Sequence, residues 1–199
     1  SGDPTSFAGL GFSPKPPLRL RRRGGLSYVQ YRYLDFPIQF HRITKNSTSQ
    51  HMAITYLTGD ATRPIGEGTK VITHVCNDIG AWGAGFVLAL SRRWGNKPKS
   101  SYLRFGKQYG FKLGTVDFCC VEPDIWIANM IAQYDIRPHH GVPPIRYGKL
   151  RKSLTKVAEE AKRLSASVHM PRVGCGLAGG TWEKVEPIIQ ETLDNIPVF

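Results

Sequence analysis

The feature that most constrains this chain is a pattern that occurs twice. A short β-branched run enters a glycine-rich turn, and the turn opens a helix. Lys70–Cys76 (KVITHVC) leads into Asn77-Asp78-Ile79-Gly80-Ala81-Trp82-Gly83-Ala84-Gly85, and then into Phe86, Val87, Leu88 and Leu90. Ser167–Met170, stopped by Pro171, leads into Gly174-Cys175-Gly176-Leu177-Ala178-Gly179-Gly180-Thr181-Trp182 and a last helix over Glu183–Leu193. Glycine lets a backbone approach an anion closely, and the unpaired amides at a helix N-terminus face that anion. Two such turns predict a pyrophosphate cradle. The alternative is a pair of tight turns with packing demands only.

The rest of the chain alternates in the same way. Ala53–Thr58 reads as a first strand ending in Gly59-Asp60, and Ala84–Trp94 and Lys99–Tyr109 read as helices. Thr115–Val121 and Ile125–Ile131 read as strands joined at Glu122-Pro123-Asp124. Over residues 146–164, Tyr147, Leu150, Leu154, Val157, Ala158, Ala161 and Leu164 recur at spacings of three and four, with Lys and Arg between them. Pro197-Val198-Phe199 begins a further apolar run. Strands alternating with helices imply an α/β sheet covered on both faces.

Charge divides the chain into two segments. It has 27 basic against 15 acidic residues, net +12, which calls for an anionic partner. Residues 1–51 hold eight basic residues and two acidic ones, net +6, in a segment that is first rich in Gly, Pro and Ser and then carries the cluster Arg19–Arg23. This segment reads as an N-terminal extension, natural or an artefact of expression, with the domain running over 52–199. No apolar run approaches the roughly 18 residues of a membrane span, so no membrane partner is expected. Four cysteines without a Cys-x-x-Cys pair read as reduced thiols, and a cytoplasmic or nuclear monomer is expected.

In such sheets ligands sit beyond the carboxyl ends of the strands, where Asp60, Asn77 and Asp78 fall. Asp60 is a candidate acceptor for an amino or hydroxyl group, although alone it reads equally as an Asx-turn. Gly174, Gly176 and Gly179 match G-x-G-x-x-G, but the complete βαβ unit that this fingerprint needs does not fit in the residues that remain. Cys175 with His74 or His169 could form a thiol nucleophile; a packing cysteine and core histidines are the simpler reading. Cys119 and Cys120 point to opposite faces, and His74 with Cys76 supplies too few ligands for zinc, so no metal and no cofactor is expected. His139 and His140 read as solvated.

Three segments together resemble the macrodomain family, which binds ADP-ribose: Leu57–Thr62 (LTGDAT), His74–Gly85 (HVCNDIGAWGAG) and Ser167–Gly176 (SVHMPRVGCG). The resemblance spans about 52–199 and is nearest the branch holding a chromatin-remodeller macrodomain and the terminal ADP-ribose glycohydrolase. It implies a three-layer α/β/α fold around a mixed sheet. It also implies that Asp60 and Ala61 hold adenine and that Asn77 and Asp78 lie at the distal ribose. The Gly80–Phe86 loop, with Gly80, Gly83, Ala84, Gly85 and Phe86, would hold the diphosphate from one side, and the Val173–Thr181 loop, with Val173, Gly174, Cys175, Gly176, Leu177 and Ala178, from the other; Trp82 would lie near the distal ribose, its alternative being a hydrophobic plug. The expected partner is ADP-ribose or an ADP-ribosylated protein.

An enzyme of this type would be an ADP-ribosyl hydrolase or an ADP-ribose 1″-phosphate phosphatase, with Asp78 and Asn77 as the catalytic candidates. The covalent-lysine mechanism of the glycohydrolase is disfavoured. Its aspartate position is Ala178 here, and its lysine position falls near Gln133, with Lys149 and Lys112 as the alternatives. The rival reading is a nucleic-acid-binding module using Arg19–Arg23, Arg92, Arg93 and Lys97.

Overall fold

The computed structural model describes residues 54–199, so the N-terminal extension, Met52 and Ala53 lie outside the described residues. Four strands and four helices follow in the order β1 (Lys70–Asn77), α1 (Phe86–Trp94), α2 (Lys97–Tyr109), β2 (Thr115–Glu122), β3 (Ile125–Gln133), α3 (Tyr147–Leu164), β4 (Ser167–His169) and α4 (Trp182–Thr192). The sheet order is β2-β3-β1-β4. β1 runs parallel to both β3 and β4, while β2 and β3 form an antiparallel hairpin, so the sheet is mixed.

The period of two along β1 assigns the two faces of the sheet. Val71 joins Ala128, Met130, Leu150, Leu154, Val185 and Ile189 in one cluster, which is the side covered by α3 and α4. Ile72 joins Leu90 of α1, and Cys76 packs with Tyr102 of α2, on the other side. The three layers follow from this alternation. Because β1 is central and covered on both faces, its apolar run is nearly continuous. α3 buries the predicted stripe Leu150, Leu154, Val157, Ala158 and Ala161 and ends at Ser165, whose φ of 51° is left-handed. Each of its buried leucines is worth about 1.5–3 kcal/mol of transfer free energy.

Among the described residues the predicted first strand forms no ladder. Residues 54–58 are irregular, and the Thr55 amide donates to the Val198 carbonyl at 2.8 Å. Strand propensity needs a partner edge to be realised. Tyr56 and Leu57, both more than half exposed, have turned outward. The predicted run at Pro197–Phe199 does pair, in parallel beside β4: Val168 donates to Pro197 O at 2.9 Å, and Phe199 donates to Val168 O at 2.9 Å.

Candidate functional site

Two cavities lie along the sheet edge where β1 and β4 end. The first, about 520 Å³, is lined by Ile54–Ala61, Arg63 and Pro64, and closed by His169, Trp182 and Phe199. The second, about 640 Å³, runs between the two glycine-rich turns. Pro171 and Arg172 line both, so the cavities meet at that point. Sizes of this order suit small-ligand sites.

Asn77, Gly83, Ala84, Gly85 and Phe86 form one wall of the second cavity. Val173, Gly174, Gly176, Leu177 and Ala178 form the opposite wall. The two loops face each other closely: Leu177 Cδ1 lies 3.5 Å from where a β-carbon on Gly85 would stand. Gly85 has φ of 77° and precedes α1, whose first turn carries no acidic side chain. The amides of Gly83, Ala84, Gly85 and Phe86 have no backbone acceptor among the described residues. Across the cavity, Gly180 donates to Gly174 O at 2.8 Å and Ile145 donates to Ala178 O at 2.9 Å, so both carbonyls are occupied. The Gly176, Leu177 and Ala178 amides likewise find no backbone acceptor among the described residues. Two sets of amides without a backbone acceptor thus border one cleft, one of them at a helix N-terminus, the kind of position where anions bind.

Asp60 and Ala61 line the first cavity, apart from these amides. Asp60 forms the Asx-turn that its sequence context allowed. Its Oδ1 accepts from Thr62 N at 2.9 Å and from Thr62 Oγ1 at 2.8 Å. The Thr62 amide, more than any other group, holds this carboxyl below the usual range. Oδ2 faces Arg63 at 3.7 Å, too far for a hydrogen bond, and is free to accept another donor.

The other predicted residues take supporting positions. Asn77 does reach the second cavity, but its side chain is committed to the loop: Nδ2 donates to Ala81 O at 2.7 Å, and Oδ1 accepts from Ala81 N at 2.9 Å and Ile79 N at 3.2 Å. Asp78 does not line the cavity. Its Oδ1 accepts from the Asp135 amide at 2.7 Å, and it ties the β1 loop to the segment after β3. Gly80 sits under Phe111, whose ring would stand 3.0 Å from an added β-carbon. Trp82 is a plug: its Nε1 donates to Ser91 Oγ at 2.9 Å, and its ring packs on His74 and Tyr102. Cys175 packs behind the second loop, and burial pushes its thiol pKa up, away from a nucleophilic thiolate.

His74 and His169 are core histidines. His74 Nε2 lies 2.6 Å from Asn129 Oδ1, Asn129 Nδ2 donates to Asp117 Oδ2 at 2.9 Å, and Ser101 donates to Asp117 Oδ1 at 3.0 Å. Burial lowers the His74 pKa to about 4, so the imidazole that reaches the cavity wall is neutral. His169, also lowered to about 4 by burial, stacks on Phe199 with ring centroids 4.7 Å apart. His139 is paired where sequence suggested solvation: its Nε2 meets Asp135 Oδ2 at 2.8 Å.

Of the residues in the rival reading, Arg92 and Arg93 occupy the last turn of α1, where cations complement the helix dipole. Lys97 donates to Val121 O at 3.2 Å. Arg19–Arg23 lie outside the described residues. Sequence reasoning missed Ile136 and Arg172 and met Gln133 only as the glycohydrolase's lysine position; all three line the second cavity. Arg172 lay inside a quoted motif, next to a proline that fixes the loop, and was the one legible signal among them.

No family model matches the chain. It is 31% identical over 158 residues to chromodomain-helicase-DNA-binding protein 1-like of Mus musculus, which covers 74% of this chain and 17% of that protein. The chain thus spans about a sixth of the length of the chromodomain-helicase relatives it matches. It is 29% identical over 150 residues to ADP-ribose 1″-phosphate phosphatase of Candida albicans, covering 72% of this chain and 95% of that one. A solved macrodomain protein from Streptomyces coelicolor is 47% identical, with a TM-score of 0.65, over 73% of this chain and 96% of its own. That identity over nearly a whole domain joins the mixed three-layer sheet and the paired glycine loops, and this chain belongs to the macrodomain family.

Proposed function

We propose that this protein binds ADP-ribose or ADP-ribosyl groups. Adenine occupies the first cavity beside Asp60 and Phe199, and the diphosphate lies between the free amides of the two glycine loops. The distal ribose points toward Gln133 and Ile136. The observation that carries this reading is the pair of opposed amide sets, joined through Pro171 and Arg172 to an aromatic-walled base compartment. Similarity to an ADP-ribose 1″-phosphate phosphatase agrees with it.

The lining favours recognition over turnover. A general base must reach the proton it takes. Among the described residues lining the second cavity none is a carboxylate. Its histidine is neutral and bonded to Asn129, and its asparagine is spent on Ala81. Asp78 does not line that cavity, and its Oδ1 accepts from the Asp135 amide at 2.7 Å.

Calorimetry with ADP-ribose, AMP and a single-stranded oligonucleotide tests the assignment. ADP-ribose is expected to bind tightest, with weak dependence on salt. Oligonucleotide binding that falls steeply with salt, and no ADP-ribose binding, would establish the nucleic-acid reading instead. Incubation with ADP-ribose 1″-phosphate and mono-ADP-ribosylated protein should give no turnover beyond the uncatalysed rate.

A further inference from the structure

We infer that Arg172 makes this cleft select a phosphorylated adenine nucleotide over the bare nucleoside. The inference rests on the ADP-ribose reading and assigns to one side chain what the amide cradle alone would share among many.

Arg172 lines both cavities and therefore stands at the waist between the base compartment and the cradle. It is the one formally charged side chain among the described residues of the second cavity. In the first cavity the other charges, Asp60 and Arg63, face each other at 3.7 Å. Arg172 pairs with no carboxylate among the described residues, so its charge is available to a ligand.

Its head is also held. The guanidinium carbon stands 5.5 Å from the centroid of the Trp182 ring, on its face. Trp182 Nε1 in turn donates to the Tyr56 hydroxyl at 3.3 Å, and that hydroxyl donates to Glu186. The Arg172 carbonyl accepts from Cys175 N at 3.3 Å, so the same residue anchors the start of the second glycine loop. A guanidinium fixed by stacking has less freedom to lose when it forms two parallel bonds to phosphate oxygens. A nucleoside in the first cavity presents no anion at the waist. A monophosphate brings one phosphate group there, and a diphosphate can span from Arg172 into the cradle.

The test is a ladder of four ligands, adenosine, AMP, ADP and ADP-ribose, titrated into the wild type, Arg172→Gln and Arg172→Lys, with melting curves to confirm folding. Arg172→Gln is expected to weaken AMP, ADP and ADP-ribose about 10- to 100-fold, the range of a lost charge-assisted hydrogen bond, while adenosine is unchanged. Arg172→Lys should recover part of the loss, because it restores charge without the planar fork. A folded Arg172→Gln protein whose ADP-ribose-to-adenosine ratio stays within twofold of wild type overturns the inference while leaving the ADP-ribose reading standing. A wild type that binds none of the four ligands overturns both.

Discussion

Asn77 and Ala81 exchange two hydrogen bonds, Nδ2 to the Ala81 carbonyl at 2.7 Å and the Ala81 amide to Oδ1 at 2.9 Å. The side chain completes the ring that a backbone turn would otherwise close. The Tyr102 hydroxyl, donating to Asn77 O at 2.5 Å, fixes the same residue from α2. Asn77→Ala should therefore lower stability by about 1–3 kcal/mol, the cost of leaving buried groups unpaired, and weaken ADP-ribose through a loosened loop. Urea unfolding and calorimetry measure the two effects. Unchanged stability with abolished binding would mean that Asn77 touches the ligand itself.

Asp60 divides its work between its two oxygens. Oδ1 closes the turn onto Thr62, and Oδ2 makes no hydrogen bond among the described residues, so in the proposed complex it is the oxygen that accepts from the adenine amino group. Asp60→Asn can keep the Thr62 bonds through its own Oδ1 while presenting an amide donor where the second oxygen stood. The melting temperature should hold within a few degrees. The preference for ADP-ribose over IDP-ribose should shrink about tenfold or reverse, because hypoxanthine offers a carbonyl at that edge. Equal wild-type affinity for the two nucleotides would sink this assignment.

Gly176 and Gly180 differ in what a side chain would meet. Nothing lies within 4 Å of an added β-carbon at Gly176, whereas at Gly180 it would stand 2.6 Å from the Gly174 carbonyl oxygen. Gly176→Ala should be tolerated. Gly176→Glu should fold and lose ADP-ribose binding, because a carboxylate would then occupy the anion cradle. Gly180→Ala should cost stability and binding together, since the clash is with backbone that cannot turn aside. Melting curves beside titrations separate the three outcomes.

Stability should fall on acidification. Burial lowers the His74 pKa to about 4, against about 6.5 in an unfolded chain. Between those values the unfolded state binds more protons, so unfolding free energy rises with pH through the window and levels off above it. The slope from this group is on the order of 1 kcal/mol per pH unit. His169, shifted the same way, adds to it. Denaturation series from pH 4.5 to 7.5 should show this decline, and His74→Gln should flatten it. An equal slope in the variant would place the effect elsewhere.

The order of elements, the buried stripe of α3 and the β2–β3 hairpin were legible because periodicities of 3.6 and 2 encode backbone conformation and burial locally. The two glycine turns were legible as strand–turn–helix units for the same reason, since strand, glycine and helix N-terminus are all neighbours in sequence. Side-chain partners between distant segments are not encoded that way. Asp78 turns to Asp135 because Asn77 pairs with Gln133 after a register shift in the β1–β3 ladder, which brings together residues 57 positions apart in the chain. Ala53–Thr58 reads as a strand, yet among the described residues its one backbone hydrogen bond runs from Thr55 N to the Val198 carbonyl. Arg172 stands between two cavities only because β4 and α4 bring the base compartment and the second glycine loop to the same proline. Local pattern determined where this chain presents free amides. Register and packing decided which charged groups stand beside them, because those contacts depend on the relative placement of whole elements.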